Sequence, residues 1–321
     1  MAAAPSMWTH FCCPKGFTGD ARVMQERAIQ SWMQLQPRPE IILLGVEEGV
    51  ARFAQAAGLR HVGAIQRNEY GTPVASSVFA GGQRAASWPI ACYVNADIVL
   101  LQDFADAIDA IAKALSGRRF LALGGRWNLP EGQAWDPGDR LGARSLRERL
   151  QRNGWLDDSI AMDYFVFPKE IDWQIPAFAL GRRYWDSWLP WKAHSMRIPV
   201  IDLTKAVTAV HVQHGYDHVA GWMRPLSPEV ETNRRLLGFW RRYTIEDSTH
   251  VLVDSILRRR SGVRRWTVPW VRRFERIAVH YLRDAGIPGL HPVYRGLRTL
   301  KHAGRPSGPG HQDVREHPSG G

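Results

Sequence analysis

The order of apolar runs in residues 8–123 restricts this chain most. Uninterrupted runs at 41–44 and at Ile90–Val94 suit strands buried on both faces of a parallel sheet, because a strand with one wet face alternates apolar with polar residues. Between them, apolar residues recur every three or four positions, as in helices that bury one side. Trp8–Cys12 reads as the first strand, ending in a loop marked by Pro14, Gly16 and Gly19. A helix follows, capped by Asp20, with Val23, Ile29 and Trp32 on its apolar stripe, and it stops before Pro37 and Pro39. The sequence then predicts helices over 47–57 (closed by Gly58), 73–87 and 104–115, and strands over 61–65 and 120–123. Such alternation defines a doubly wound α/β half of the nucleotide-binding kind.

After Trp127 the pattern loosens. Residues 128–162 are rich in Gly and Pro around a charged helix at 145–152. Strands return at 164–167, 200–203 and 207–212, with a Trp-rich helix at 184–194.

Charge enters the argument by its location. The net charge is +11, but residues 1–254 carry only +1, residues 255–301 carry +10 and residues 302–321 carry 0. A neutral body is thus expected to do one job and a basic tail another. Residues 269–284 place Trp270, Phe274, Ile277 and Tyr281 on one side of a helical pattern and arginines elsewhere. That pattern suits an anionic membrane surface, or a terminal helix packed on the body. Nucleic acid is not expected, since no RNP-like, helix-turn-helix or zinc-module pattern accompanies the charge. The last twenty residues are too polar to form a core. The N-terminal residues lack the basic and apolar regions of a secretory signal, no apolar run reaches ~18–20 residues, and Cys12, Cys13 and Cys92 lack metal spacing. A cytoplasmic chain without disulfides is the expectation, with attachment to the inner face of the membrane through the tail. No Gly-rich phosphate loop or dinucleotide fingerprint is present, which argues against NTPases and dehydrogenases.

The chemistry concentrates where Ile90–Val94 runs into Asn95-Ala96-Asp97. Ligands bind at the carboxyl ends of strands in an open parallel sheet, so Asp97 is placed to hold a divalent cation on a diphosphate. The competing reading is a carboxylate that caps a turn. Asp186, in Trp185-Asp186-Ser187-Trp188, is a candidate proton acceptor, because aromatic surroundings raise a carboxyl pKa. The same spacing of Trp185, Trp188 and Leu189 also fits a buried helix face with Asp186 turned to water. Asp163, before the strand at 164–167, is its rival. Arg126 and Arg182 present forks suited to phosphates or to ion pairs.

Asn95-Ala96-Asp97 resembles a variant of the Asp-x-Asp motif of GT-A-fold, nucleotide-sugar-dependent glycosyltransferases, of the family-2-like kind found in bacteria. Further resemblance lies in Gln25, Ala28-Ile29 and Ser31-Trp32, in residues 41–45, 68–73 and 163–167, in Gly181-Arg182, Trp185-Asp186 and Trp188-Leu189, in residues 198–202, and in His211 through His218. The resemblance spans residues 7–254. It implies a GT-A-like domain with a mostly parallel sheet, divided into a nucleotide-sugar-binding half (7–127) and an acceptor half (128–254), followed by a basic helical extension (255–301) and a tail (302–321). It implies transfer of a sugar from a nucleoside diphosphate-sugar to a hydroxyl acceptor, whether glycan, lipid-linked or small molecule. Carried over residue by residue, it gives Asp97 the role of ligand to Mn²⁺ or Mg²⁺, and Asn95, Asn68, Thr72 and Arg182 donor contacts, to which the guanidinium fork adds Arg126 as a further candidate. Asp186 or Asp163 becomes the base. Asn95 departs from the acid usual at the first position, removing a charge from the metal site. His211 or His214 fits a single histidine ligand from the C-terminal half. Both cannot serve unless the strand at 207–212 ends between them, because residues three apart on a strand face opposite sides. A non-catalytic nucleotide-sugar or glycan-binding protein and a sugar nucleotidyltransferase are the alternatives. The latter lacks the Gly-rich, basic N-terminal loop expected of it.

Overall fold

The structure is a computed structural model that describes residues 7–130, 142–212 and 227–260. Strands β1 (Trp8–Cys12), β2 (Glu40–Leu44) and β3 (Arg60–Val62) run parallel along one side of a nine-stranded sheet, and β4 (Ile90–Val94) lies parallel to β1 on its other flank. Beyond β4 the order continues through β9 (Tyr164–Pro168), β6 (Leu121–Leu123), β10 (Val200–Asp202), β12 (His250–Val253) and β13 (Ile256–Arg259). Five of the eight pairings are parallel; β9 opposes both β4 and β6, and β13 opposes β12. A second sheet has the order β5 (Ile98–Leu100), β11 (Ala209–Val212), β7 (Trp127–Leu129) and β8 (Trp155–Leu156). The mixed α/β class with a mostly parallel sheet is as the sequence predicts.

Both faces of the large sheet are covered, which explains the uninterrupted apolar strands. Ile41 and Leu43 pack with helices α1 (Gly19–Met33), α2 (Val50–Ala57), α4 (Gln102–Ala114) and α5 (Gly142–Asn153) on one side. Ile42 and Leu44 pack with α3 (Ala75–Ala85), α6 (Trp188–Ser195) and α7 (Pro228–Leu237) on the other. His10, inside the first layer, accepts a hydrogen bond from the Trp8 indole N–H at 3.0 Å and stacks on Trp32. Its burial lowers its pKa to about 3, so it is a neutral core residue.

Several local expectations change. Asp20 lies in the first turn of α1 while Thr18 occupies the cap, so its carboxylate faces the positive helix end without closing it. Val23 is exposed, and the buried side of α1 is formed by Gln25, Ala28, Ile29, Ser31 and Trp32. The strand expected at 61–65 is the shorter β3. Gly58 closes α2 in the left-handed region at φ 65°, as expected from the sequence. The boundary drawn after residue 254 falls inside the β12–β13 hairpin, so 256–259 complete the sheet. The rest of the basic segment, the tail and His214 lie outside the described residues. No helix among the described residues is long and apolar enough to cross a membrane.

Candidate active site

β4 ends at Val94 in the middle of the large sheet, and the chain turns at Asn95 through Asp97 into β5, which joins the second sheet. The turn is closed by the Ile98 N–H donating to the Asn95 carbonyl at 3.1 Å. Because β9 runs antiparallel to β4, with Val94 opposite Tyr164, its amino end meets the carboxyl end of β4. Asp163 therefore sits against Asn95. The Asn95 N–H donates to the Asp163 carbonyl at 2.8 Å, and its side-chain amide donates to Asp163 Oδ1 at 2.7 Å. The Tyr93 hydroxyl donates to Asn95 Oδ1 at 2.9 Å. This arrangement accounts for the amide at position 95. An acid there would set two carboxylates against each other in a buried place, where one of them has to keep a proton.

Arg126 comes from the loop between β6 and β7, after Gly124-Gly125. A Cβ on Gly124 would collide with the Tyr164 hydroxyl and press on the Thr204 backbone nitrogen at 3.1 Å, so the chain passes here only as glycine. The guanidinium donates to both Asp163 oxygens at 3.1 Å, and through Nε to Asp157 Oδ2 at 3.1 Å. Asn128 donates to the same Asp157 oxygen at 2.9 Å. Burial opposes the Arg126 charge, but Asp163, Asp157 and Asp97 together raise its pKa. Burial also raises the Asp163 pKa, against the pull of Arg126. Arg126 is thus committed to two carboxylates, the ion-pair alternative of the two that the sequence leaves open. Asp163 accepts from both Asn95 and Arg126, and so is held in place rather than poised to take a proton.

Asp97 lies on the open side of this group, with its side chain 23% exposed. β11 brings His211 opposite Ile98, one residue beyond Asp97, and places the His211 ring Nε2 3.9 Å from Asp97 Oδ2. Among the described residues, no three His, Cys, Asp or Glu side chains gather around one point. Two protein ligands nevertheless suit a divalent cation bound on a diphosphate, since Mg²⁺ in such sites takes one or two carboxylates and fills its shell with phosphate oxygens and water. Imidazole is a softer ligand, compatible with first-row metals.

Asp186 stands in the loop before α6, half-buried, with Oδ1 accepting the Ser187 N–H at 2.9 Å. Burial pushes its pKa up to about 7, and the nearby Asp163 adds to the rise while the Ser187 N–H and Arg242 oppose it. Trp185 anchors the loop by packing edge-on against Tyr93 at 5.3 Å and Phe165 at 5.7 Å between ring centres. Trp185, Trp188 and Leu189 are buried, as the core reading of that spacing predicts, yet Asp186 does not face open water.

Asn68, Thr72 and Arg182 come together, joined by a residue that the sequence did not single out. Glu229, at the start of α7, accepts from the Asn68 amide at 2.9 Å and from Arg182 Nε at 2.7 Å, while Arg182 also reaches Thr72 Oγ1 at 3.3 Å. Asn68 Oδ1 accepts from the Tyr70 and Thr72 N–H groups, which fixes the turn. Burial works against the Glu229 charge, but hydrogen bonds from Asn68, Thr72 and Arg182 lower its pKa. A cleft of about 460 Å³ beside this group is lined by Arg67, Asn68, Tyr70, Glu229 and Thr232 among others. Sequence reasoning also missed Asp157, and it gave no role to Tyr93, which belongs to the segment that carries the resemblance. Tyr93 carries a signal in hindsight, since a tyrosine two residues before Asn95 shares its strand face.

A scan against protein-family models finds no match, and no curated protein matches. Solved structures do. S. aureus TarS 1-349 in complex with UDP-GlcNAc is 13% identical over 72% of this chain and 65% of that one, with a TM-score of 0.47. GalNAc-T7 with UDP, GalNAc and Mn²⁺ is 13% identical over 73% of this chain and 48% of that one, also at 0.47. Glucosyl-3-phosphoglycerate synthase from Mycobacterium tuberculosis, with Mn²⁺, UDP and phosphoglyceric acid, is 17% identical over 73% and 78%, at 0.40. The chain spans about two thirds of the first of these and about half of the second.

Proposed function

We propose that this chain is a glycosyltransferase of the GT-A type, moving a sugar from a nucleoside diphosphate-sugar to a hydroxyl acceptor. The observation that carries the reading is Asp97 at the carboxyl end of β4, part-exposed and 3.9 Å from His211, with Asn95, Asp163 and Arg126 locked behind it. Asp97 and His211 would hold Mn²⁺ or Mg²⁺, which when bound offsets the charge that builds on the departing diphosphate. Asn95 and Arg126 fix Asp163, and so set the orientation of the turn that presents Asp97. Asp186 is the base. It takes the acceptor hydroxyl proton as the acceptor oxygen bonds to the sugar C1 and the bond from C1 to the phosphate oxygen breaks, the electron pair leaving with the nucleoside diphosphate. A carboxylate with pKa near 7 is matched to proton transfer at neutral pH. Asn68, Thr72 and Arg182 are assigned to the donor through the cleft they line or border. We further propose peripheral attachment to an anionic membrane face through the basic C-terminal segment.

The test is nucleoside diphosphate release from a panel of UDP-, GDP- and TDP-sugars with Mn²⁺ present. Turnover of at least one donor is expected. Asp97→Ala should weaken metal-dependent donor binding at least tenfold while leaving the melting temperature of the ligand-free protein within about 2 °C, because a part-exposed side chain at a strand end serves the core little. Donor binding without any turnover would make the chain a nucleotide-sugar-binding protein. A large loss of melting temperature without donor would make Asp97 a turn cap.

A further inference from the structure

Beside Asp186 lies a second set of side chains that the donor chemistry does not use. α7 ends at Leu237, Gly238 turns the chain at φ 72°, and residues 239–243 read Phe-Trp-Arg-Arg-Tyr. Phe239 and Trp240 form an edge-to-face pair with centres 5.0 Å apart, yet they are 48% and 60% exposed, unusual for large aromatics that have a core at hand. Arg241 lies over two indoles of α6, its guanidinium carbon 4.6 Å from the Trp191 ring centre and 5.4 Å from that of Trp188. Arg242 covers Tyr184 at 5.1 Å, and its charge acts on Asp186. Tyr184 itself holds a positive φ of 87°, a conformation that costs a non-glycine residue and persists only when its surroundings enforce it.

Arg241 is exposed, and while its carbonyl accepts the Tyr243 N–H at 3.0 Å, its guanidinium makes no ion pair or hydrogen bond among the described residues. Stacking holds a guanidinium by its face and leaves the N–H edges outward, in the planar fork that matches a carboxylate or phosphate. Holding the fork in advance reduces the side-chain entropy lost on binding. An exposed indole and phenyl ring beside such a fork offer an apolar surface for the C–H face of a sugar.

We propose that Arg241, stacked on Trp188 and Trp191, together with Arg242 and the exposed Phe239–Trp240 pair, forms an acceptor subsite for a hydroxylated molecule bearing a phosphate or carboxylate. Its position as an acceptor subsite rests on the transferase reading, whereas binding of the anion does not. The anion seats on Arg241, the sugar or polyol body rests on Trp240, and a hydroxyl is turned toward Asp186.

The experiment measures equilibrium binding of glucose 6-phosphate, glucuronate and glucose to the full chain by calorimetry at fixed ionic strength, with UDP-sugar binding measured in parallel. At least one anionic sugar should bind at least tenfold more tightly than glucose, and the phosphate and carboxylate arms show which anion is preferred. Arg241→Ala should weaken that binding at least tenfold, and Arg241→Lys should recover only part of it, because a point charge lacks the fork. Donor affinity should stay within twofold in both variants. Equal binding of glucose, absence of anionic binding, or an Arg241→Ala protein that binds as before would each overturn the proposal. If anionic sugars bind through Arg241 and no donor does, the transferase reading falls and the anion subsite stands. If a donor binds and the anionic sugars do not, the subsite alone falls.

Discussion

Asn95 ties the turn that carries Asp97 to the strand beside it, through both its backbone and its side-chain amide. In the sequence it is a departure from an acidic pair, and nothing near it in the chain explains the amide. In space it donates to Asp163, 68 residues away, at 2.7 Å. Only the antiparallel insertion of β9 beside β4 creates that contact, and no local pattern encodes it. Asp97 was legible because an acid at the end of an apolar strand is conspicuous. Asp157 and Glu229 were not, since each acts through partners distant in sequence. Asn95→Asp should therefore destabilise the protein by roughly 1–3 kcal/mol at pH 8. The buried pair would hold a proton that the unfolded chain releases, so the folded state binds more protons than the unfolded one. Stability relative to the parent should then recover as pH falls toward 5, a trend that denaturant melts at several pH values would show; a pH-independent difference would contradict the pairing. Asp186 gives a second prediction of definite sign. With its pKa raised to about 7 by burial, the basic form accumulates as pH rises, so kcat/KM should climb through pH 7 to a plateau. Asp186→Asn should remove that limb and cost roughly 10²–10⁴-fold in kcat, with donor affinity little changed.

The elements were legible in proportion to how locally they are specified. β2 and β4 are buried on both faces and read directly as apolar runs, whereas the direction of β9 could not be read, because an apolar strand looks alike in parallel and antiparallel neighbours. Nor could the switch from β4 to β5 between sheets, since residues 94–101 look like one interrupted strand. α3 illustrates how packing overrides propensity. Gly81 and Gly82 sit inside this helix, where alanine would gain about 1 kcal/mol of intrinsic helix stability. A Cβ on Gly82, however, would run into the Phe11 ring. Phe11 is fully buried and packs edge-on against Phe79 at 5.5 Å and Tyr93 at 5.7 Å, so it has nowhere to retreat. Overpacking of this kind costs about 1–3 kcal/mol, which exceeds the helix gain. Gly82→Ala should lower the midpoint of denaturant unfolding, and Phe11→Leu in the same chain should relieve part of the clash. An unchanged or higher midpoint for the single variant would show that α3 is free to move away from the sheet.

At the scale of the whole molecule, the separation of charge is the feature that the sequence states and the sheet refines. The β12–β13 hairpin extends the folded body to residue 259, so a chain cut after 254 would lose an edge strand and confuse unfolding with loss of binding. A chain ending at Arg260 keeps the sheet and still removes residues 261–301, which hold a formal charge of +7 along with Trp266, Trp270 and Phe274. Basic residues near an anionic bilayer contribute about 1 kcal/mol each, and this attraction is screened over a Debye length of ~8 Å at physiological ionic strength. A segment packed on the protein body would be much less sensitive to salt. The full chain should therefore sediment with vesicles containing phosphatidylserine at low salt, release at high salt, and ignore vesicles of phosphatidylcholine alone. The shortened chain, with its melting temperature intact, should stay in solution with both. Arg258 and Arg259 remain exposed on β13 in the shortened chain, so residual sedimentation abolished by neutralising them would extend the attachment surface onto the sheet edge. Equal sedimentation of full and shortened chains, insensitive to those two arginines, would remove the basic segment from any role at the membrane.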